Sequence, residues 1–201
     1  MKALNSNRQQ MRERITQLAA RLMAEDGVED YAQAKRKAAR QMGASDTQNL
    51  PSNSEIDQAL RAYQDLYQKE EQSDRLYVLR SHAVQTMQVL ARFHPYLTGP
   101  VLTGTAVRHT GVDLQLFTDS VKDVEQFLIN QQIPYKSGQR RFGFGDAFRD
   151  VPTFVLFYDE TEVMIAVLDT DDLRVPPRCP VGGGVMERAG IDQVAGLLEG
   201  K

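Results

Sequence analysis

From Glu55 to His94 the chain contains neither glycine nor proline, and Pro95 ends the run. Forty residues without a breaker strongly favour helix, because the two residues that most weaken a helix interior are absent. Ile56, Leu60, Tyr63 and Tyr67 recur at helical spacing, and Tyr77, Val84, Met87 and Leu90 continue the series beyond the charged patch KEEQSD at 69–74. The spacing predicts one helix over 54–92, ~58 Å long at about 1.5 Å per residue, with a break near Ser73 as the alternative. Ser52 and Glu55 have the spacing of a capping box that would start it.

Upstream, Met11, Ile15, Leu18 and Leu22 form one apolar stripe from Arg8 to Met23, and Gly27 is a stop signal. Asp30 is a good N-cap for a second helix through YAQAKRKAARQM, ending at Gly43. Residues 44–50 read as a polar loop.

At Phe93 the pattern changes to short apolar runs separated by Gly and Pro. Gly99–Thr103 (GPVLT) and Val112–Phe117 (VDLQLF) read as strands, Ser120–Asn130 as a helix and Ile133–Tyr135 as a short strand. Lys136–Arg149 (KSGQRRFGFGDAFR) reads as a loop or irregular hairpin. Phe154–Tyr158 and Glu162–Leu168 around Asp159-Glu160-Thr161 read as an antiparallel hairpin. PPRCPVGGG marks a flexible connector, and 174–201 reads as a tail with at most one short helix. The expected organisation is α+β: a helical region over 1–92, a small mixed-sheet domain over 93–173, and the tail.

The formal net charge of -3 argues against a surface built wholly for nucleic acid. Local basic stretches remain candidates: the helix AKRKAAR, and Arg140, Arg141, Arg149 and Lys136 interleaved with Phe142, Phe144 and Phe148. Arginine pairs with phosphate and aromatic rings stack on bases; the alternative is solvated charge with the Phe side chains in the core. The single Cys179 offers no intramolecular disulfide, and His82, His94 and His109 lack metal-ligand spacing. No apolar run approaches the ~20 residues that span a bilayer, and the N-terminus lacks a signal-peptide core. The expectation is a cytoplasmic protein that does not engage a membrane. No phosphate-binding loop with its Lys-Ser/Thr and no Gly-x-Ser-x-Gly elbow occurs.

The chemistry-bearing stretch is LTGTAVRHTGVDLQLF, 102–117. Gly104-Thr105 forms a turn of small residues that lets backbone approach a phosphate. Asp113 and Gln115, two apart on a strand, share one face. This stretch resembles the signature of the nucleotidyltransferase superfamily, in the subgroup found in bacterial toxin–antitoxin and phage-defence systems, and the resemblance covers roughly Phe93 to Leu173. It implies a nucleotidyltransferase-like domain in which Gly104, Thr105 and Arg108 contact the nucleotide. Asp113 would be the principal ligand of Mg²⁺, and Asp113 and Gln115 would occupy the two catalytic carboxylate positions. Gln115 departs from the pattern, since an amide is a weaker Mg²⁺ ligand. The later strand that should carry a third carboxylate reads EVMIAVL, with Glu162 and Asp169 at its ends. The resemblance therefore implies a degenerate site binding a nucleotide, RNA or protein partner, with weak Mg²⁺ dependence. The alternatives are an active Mg²⁺-dependent nucleotidyltransferase acting on RNA, protein or a small molecule, and a scaffold that binds a protein or itself through the long helix. Asp113→Asn and Gln115→Asp are both expected to be tolerated at a solvent-accessible site, the second restoring the acidic pair.

Overall fold

The computed structural model describes residues 2–44, 49–67, 69–179 and 183–199, with the side chains of 2–7 and 69 left out. The fold is α+β: N-terminal helices followed by a mixed five-stranded sheet. The chain divides into two compact units. One comprises Met1–Ser73, Thr105–Thr110 and Pro180–Gly182; the other comprises Asp74–Gly104, Gly111–Cys179 and Gly183–Lys201.

The first unit is built on α1 (Lys2–Asp26), α2 (Tyr31–Gln41) and α3 (Asn53–Tyr67). Its core joins Ile15, Ala19, Leu22 and Met23 of α1, Ala34 and Ala38 of α2, Ile56 and Leu60 of α3, and Val107. Met11 and Leu18, the rest of the α1 stripe, pack at the edge of this core. The Asp30 carboxylate accepts from the Gln33 N–H at 2.6 Å and caps α2. Ser52 and Glu55 close their capping box reciprocally, at 3.2 and 2.7 Å. Glu55 also receives two hydrogen bonds from the Arg12 guanidinium, which with Ser52 hold its carboxyl down to about 2. α4 spans Lys69–Val89. The residue between α3 and α4, position 68, lies outside the described residues, as does 45–48 of the expected polar loop, so the one-helix reading of 54–92 turns on a position that is not described. Ser73, where the alternative reading put a break, is helical. The division between units falls inside α4, at Ser73/Asp74.

The second unit contains β1 (Tyr96–Thr98), α5 (Gly99–Thr103), β2 (Val112–Phe117), α6 (Val121–Asn130), β3 (Tyr135–Phe144), β4 (Ala147–Tyr158), β5 (Thr161–Leu168) and α7 (Ile191–Glu199). The strand order is β1-β2-β5-β4-β3, antiparallel except between β2 and β5. Gly99–Thr103, expected as a strand, is helical. Gly99 takes a left-handed φ of 71° that ends β1, and Pro100 sits in the first turn, where its missing N–H costs nothing. Short apolar runs do not distinguish strand from buried helix. Lys136–Arg149, expected as irregular, is the regular β3–β4 hairpin, turning at Gly145-Asp146 with φ 56° at the glycine. From Lys136 to Arg141 every β3 residue is exposed, so neither face needs apolar alternation and the period of two is missing from the sequence. The β4–β5 hairpin turns at Asp159-Glu160 as expected.

One sheet face carries Leu114, Leu116, Ile165, Val167, Phe154 and Leu156, all buried. α6 lies over it: the hydroxyl of Tyr135 donates to Glu125 at 2.8 Å, and the Tyr135 ring meets Phe154 edge-on. The part of α4 after Asp74 lies over it too, with His82 2.8 Å from the Thr161 hydroxyl and Gln85 bonded to Tyr158. The opposite face carries Asp113, Gln115, Phe117, Met164, Ala166 and Leu168. The segment after 174 folds back on the sheet: Leu97 and Ala189 exchange backbone hydrogen bonds at 2.9 and 3.0 Å, and Val194 of α7 is fully buried.

Candidate functional site

Asp113 stands on β2 between Thr98 of β1 and Met164 of β5, on this second face. Its side chain is 30% exposed, and its Oδ1 lies 3.6 Å from the Arg140 guanidinium on β3. Burial pushes the Asp113 carboxyl above its ordinary range; the Arg140 charge opposes that rise and the Glu162 charge adds to it. Arg140 also points a nitrogen at the Met164 sulfur, 3.3 Å away, and lies over the Phe142 ring. Half-buried Met164 and Val155 and the exposed Phe157, Glu162 and Lys136 complete this open half of the face.

Gly99 is the residue pressed against the carboxylate. A Cβ there would stand 2.7 Å from Asp113 Oδ2, and the φ of 71° independently favours glycine. Gly104 lies at the other end of α5, where it caps the helix at φ 85° and a Cβ would meet only Leu76 Cδ1 at 4.0 Å. Thr105 and Arg108 belong to the helical unit. Thr105 is buried; the carbonyl of Ala106 accepts from the side-chain amides of Gln72 and Gln64 at 2.8 and 3.2 Å. Val107 enters the helical core, the Thr110 hydroxyl accepts from the Val107 N–H at 2.8 Å, and His109 lies against Gly27. Arg108 is exposed beside it. The stretch TAVRHT is thus anchored by side-chain amides at the Ala106 carbonyl and by apolar contact at Val107.

Gln115 shares the face of Asp113, as the spacing requires, but it is only 1% exposed. Its Nε2 donates to the Met186 sulfur at 3.0 Å, and its Oε1 is buried without a hydrogen-bond partner among the described residues. Phe117, Phe142, Val151, Ala166 and Leu168 pack as a cluster on this half of the face, with Tyr96, Phe144 and Met186 against them. The expectation that position 115 is solvent-accessible is therefore corrected: the chain that returns after 183 covers it.

The oxygen donors do not fit a Mg²⁺ ion, which demands near-octahedral oxygen ligation. Asp113 contributes one carboxylate already facing a guanidinium, and the Gln115 oxygen is sealed in. Met164 and Ala166 occupy the β5 positions facing Asp113 and Gln115. Asp169 lies past the far end of β5, 3.6 Å from Arg149. Among the described residues, no group of three or more His, Cys, Asp or Glu side chains is arranged to hold a metal.

The basic stretches are partly consumed by the protein itself. Lys37 of α2 pairs with Asp26 at 2.7 Å, and burial lowers the pKa of Lys35. Arg141 lies over Phe148 and Arg149 over Phe144; of the three interleaved rings, only Phe148 is largely exposed, at 68%.

Sequence reading missed Gly99 as a member of the Asp113 site and placed Arg140 only in a basic stretch, while Glu162 was weighed as a third carboxylate. Thr98-Gly99-Pro100, a glycine after a short apolar run, carried the same signal as Gly104-Thr105, one helical turn earlier. Among the described residues no helix is long and apolar enough to cross a membrane. No known protein-family model matches the chain, and no curated protein matches it.

Proposed function

We propose that the chain is a nucleotidyltransferase-like binding protein, whose open sheet face takes the phosphates of a nucleotide without metal-dependent transfer. The observation that carries this reading is the Asp113–Arg140 pair at 3.6 Å beside Gly99, with a buried amide at the second carboxylate position. A guanidinium supplies the positive charge that a metal supplies in sites with two or three carboxylates. It pairs with phosphate through two parallel hydrogen bonds. Asp113 holds Arg140 in place until phosphate competes for it, and Lys136, on the same face of β3, adds a second cation.

The test is calorimetric titration of ATP, GTP, CTP and UTP, with Mg²⁺ and with a chelator. At least one nucleotide should bind equally well in both conditions, and Arg140→Glu should abolish binding while circular dichroism shows the fold retained. Mg²⁺-dependent nucleotide transfer by the natural chain would overturn this reading in favour of an active enzyme.

A further inference from the structure

The sheet treats its two edges differently. β1, three residues long, is covered: Leu97 exchanges both backbone hydrogen bonds with Ala189. β3, ten residues long, pairs with β4 along its whole length and, among the described residues, meets other backbone at one point, where the Arg178 N–H donates to the Gly143 carbonyl at 2.7 Å. That bond fixes the phase of the strand. Since Gly143 turns its carbonyl away from β4, residues two and four positions back, Arg141 and Gln139, turn theirs outward as well, and so does Ser137. Gln139 stands opposite Pro152, a residue with no N–H to give, as befits a pair that exchanges no bonds across the ladder. Residues 136–141 are all exposed. Over 135–144 the strand carries Lys136, Arg140 and Arg141 and no carboxylate.

We propose that the free stretch Tyr135–Arg141 of β3 is a docking edge for an extended acidic peptide segment of a partner protein, added as a sixth strand. Backbone groups of Ser137, Gln139 and Arg141 supply the ladder, and acidic side chains on alternate partner residues, which share one face, meet Lys136 and Arg140. Charge selects this occupant over a second copy of the chain, since two β3 edges would bring their cations together with no acid between them. Charge on an edge strand also discourages indiscriminate pairing with apolar strands; the same cations therefore narrow the choice of partner.

The probe is a blocked, fluorescein-labelled seven-residue peptide alternating Val and Glu, with a Val–Lys counterpart. The Val–Glu peptide should bind the full chain, more weakly at higher salt, and should slow exchange of the Ser137, Gln139 and Arg141 amides. The Lys136, Gly138 and Arg140 amides, already bonded to β4, should not change. Gln139→Pro removes one outward N–H without touching the β4 ladder and should weaken binding about tenfold. Lys136→Glu, which leaves the backbone intact and reverses a charge on the face that meets the peptide's carboxylates, should weaken it at least as much. Four outcomes overturn the proposal: no binding at low salt, equal binding of the Val–Lys peptide, amide protection that rises with protein concentration without peptide (a second copy), or protection produced by oligouridylate and not by peptide (nucleic acid).

Discussion

The two halves of one sheet face differ more than their sequences suggest. Around Asp113 the face is open: the carboxylate is 30% exposed and an arginine reaches it from β3. Two residues along the same strand, Gln115 is 1% exposed under Met186, among Phe117, Phe142 and Leu168. Alternation along a strand guarantees that both side chains point the same way. It does not guarantee the same solvent. A carboxylate at 113 can stay charged with help from Arg140; at 115 it would face a thioether and aromatic carbon. The amide is thus the polar group that the closed half tolerates, rather than a weakened copy of a metal ligand.

Gln115→Asp should break this contrast with the largest effect. It replaces a buried neutral amide by a carboxylate against the Met186 sulfur, a loss on the order of 3 kcal/mol at about pH 7. The sign follows from burial: the new carboxyl titrates above its unfolded value, so the variant loses stability as pH rises through that interval and recovers it in acid. Urea unfolding of both proteins at about pH 4 and about pH 8 should show a gap that opens with pH. Equal stability at the higher pH, with new Mg²⁺ binding, would mean that the strap bearing Met186 opens and both halves are one accessible site.

A second contrast lies at the two ends of α5. Gly99 and Gly104 both have left-handed backbone, so alanine at either should lose roughly 1–2 kcal/mol for that reason alone. Only at Gly99 does the new methyl meet Asp113 Oδ2, at 2.7 Å. Gly99→Ala should therefore be the worse variant by about 1 kcal/mol, and the excess should vanish in an Asp113→Ala background. A double-mutant cycle on denaturant midpoints measures that coupling. Zero coupling would remove Gly99 from the site.

The helical half is legible in sequence because its signals are local. The Met11–Leu22 stripe, the Asp30 cap and the Ser52–Glu55 box depend on residues three or four apart, and each takes the predicted role. The sheet half is less so, because its determinants are distant. Gly99 and Gly104 both fit a glycine turn, and only pairing of β1 with β2 brings one of them against Asp113. Arg140 comes from a strand whose exposed residues carry no alternation. Gln115 looks like an open ligand position until residue 186 covers it, 71 positions later. The loop TAVRHT carries residues suited to phosphate, yet Gln64 and Gln72 bind its backbone in the helical unit. Neither glutamine is marked in the sequence by any pattern beyond a helix.

The smallest effect, and the one that most sharpens the contrast between the halves, is expected at Asp113 itself. Burial raises its carboxyl, while Arg140 offsets part of the rise. An acid whose folded value exceeds its unfolded value, near about 4, binds more protons folded than unfolded in the interval between the two. Stability then falls as pH rises through that interval. Asp113→Asn cannot titrate, so it should match the natural protein in acid and become the more stable of the two above the interval, the pattern of a site held for binding at some expense of stability. Arg140→Met should do the reverse. Removing the only cation within ion-pair distance of Asp113 among the described residues leaves the charge less compensated, so this variant should lose stability at neutral pH and little in acid. Parallel unfolding curves for the three proteins across pH decide the matter. If Asp113→Asn is less stable than the natural protein at neutral pH, attraction to Arg140 outweighs burial, and the pair is a structural clamp instead of a site poised to exchange its carboxylate for phosphate.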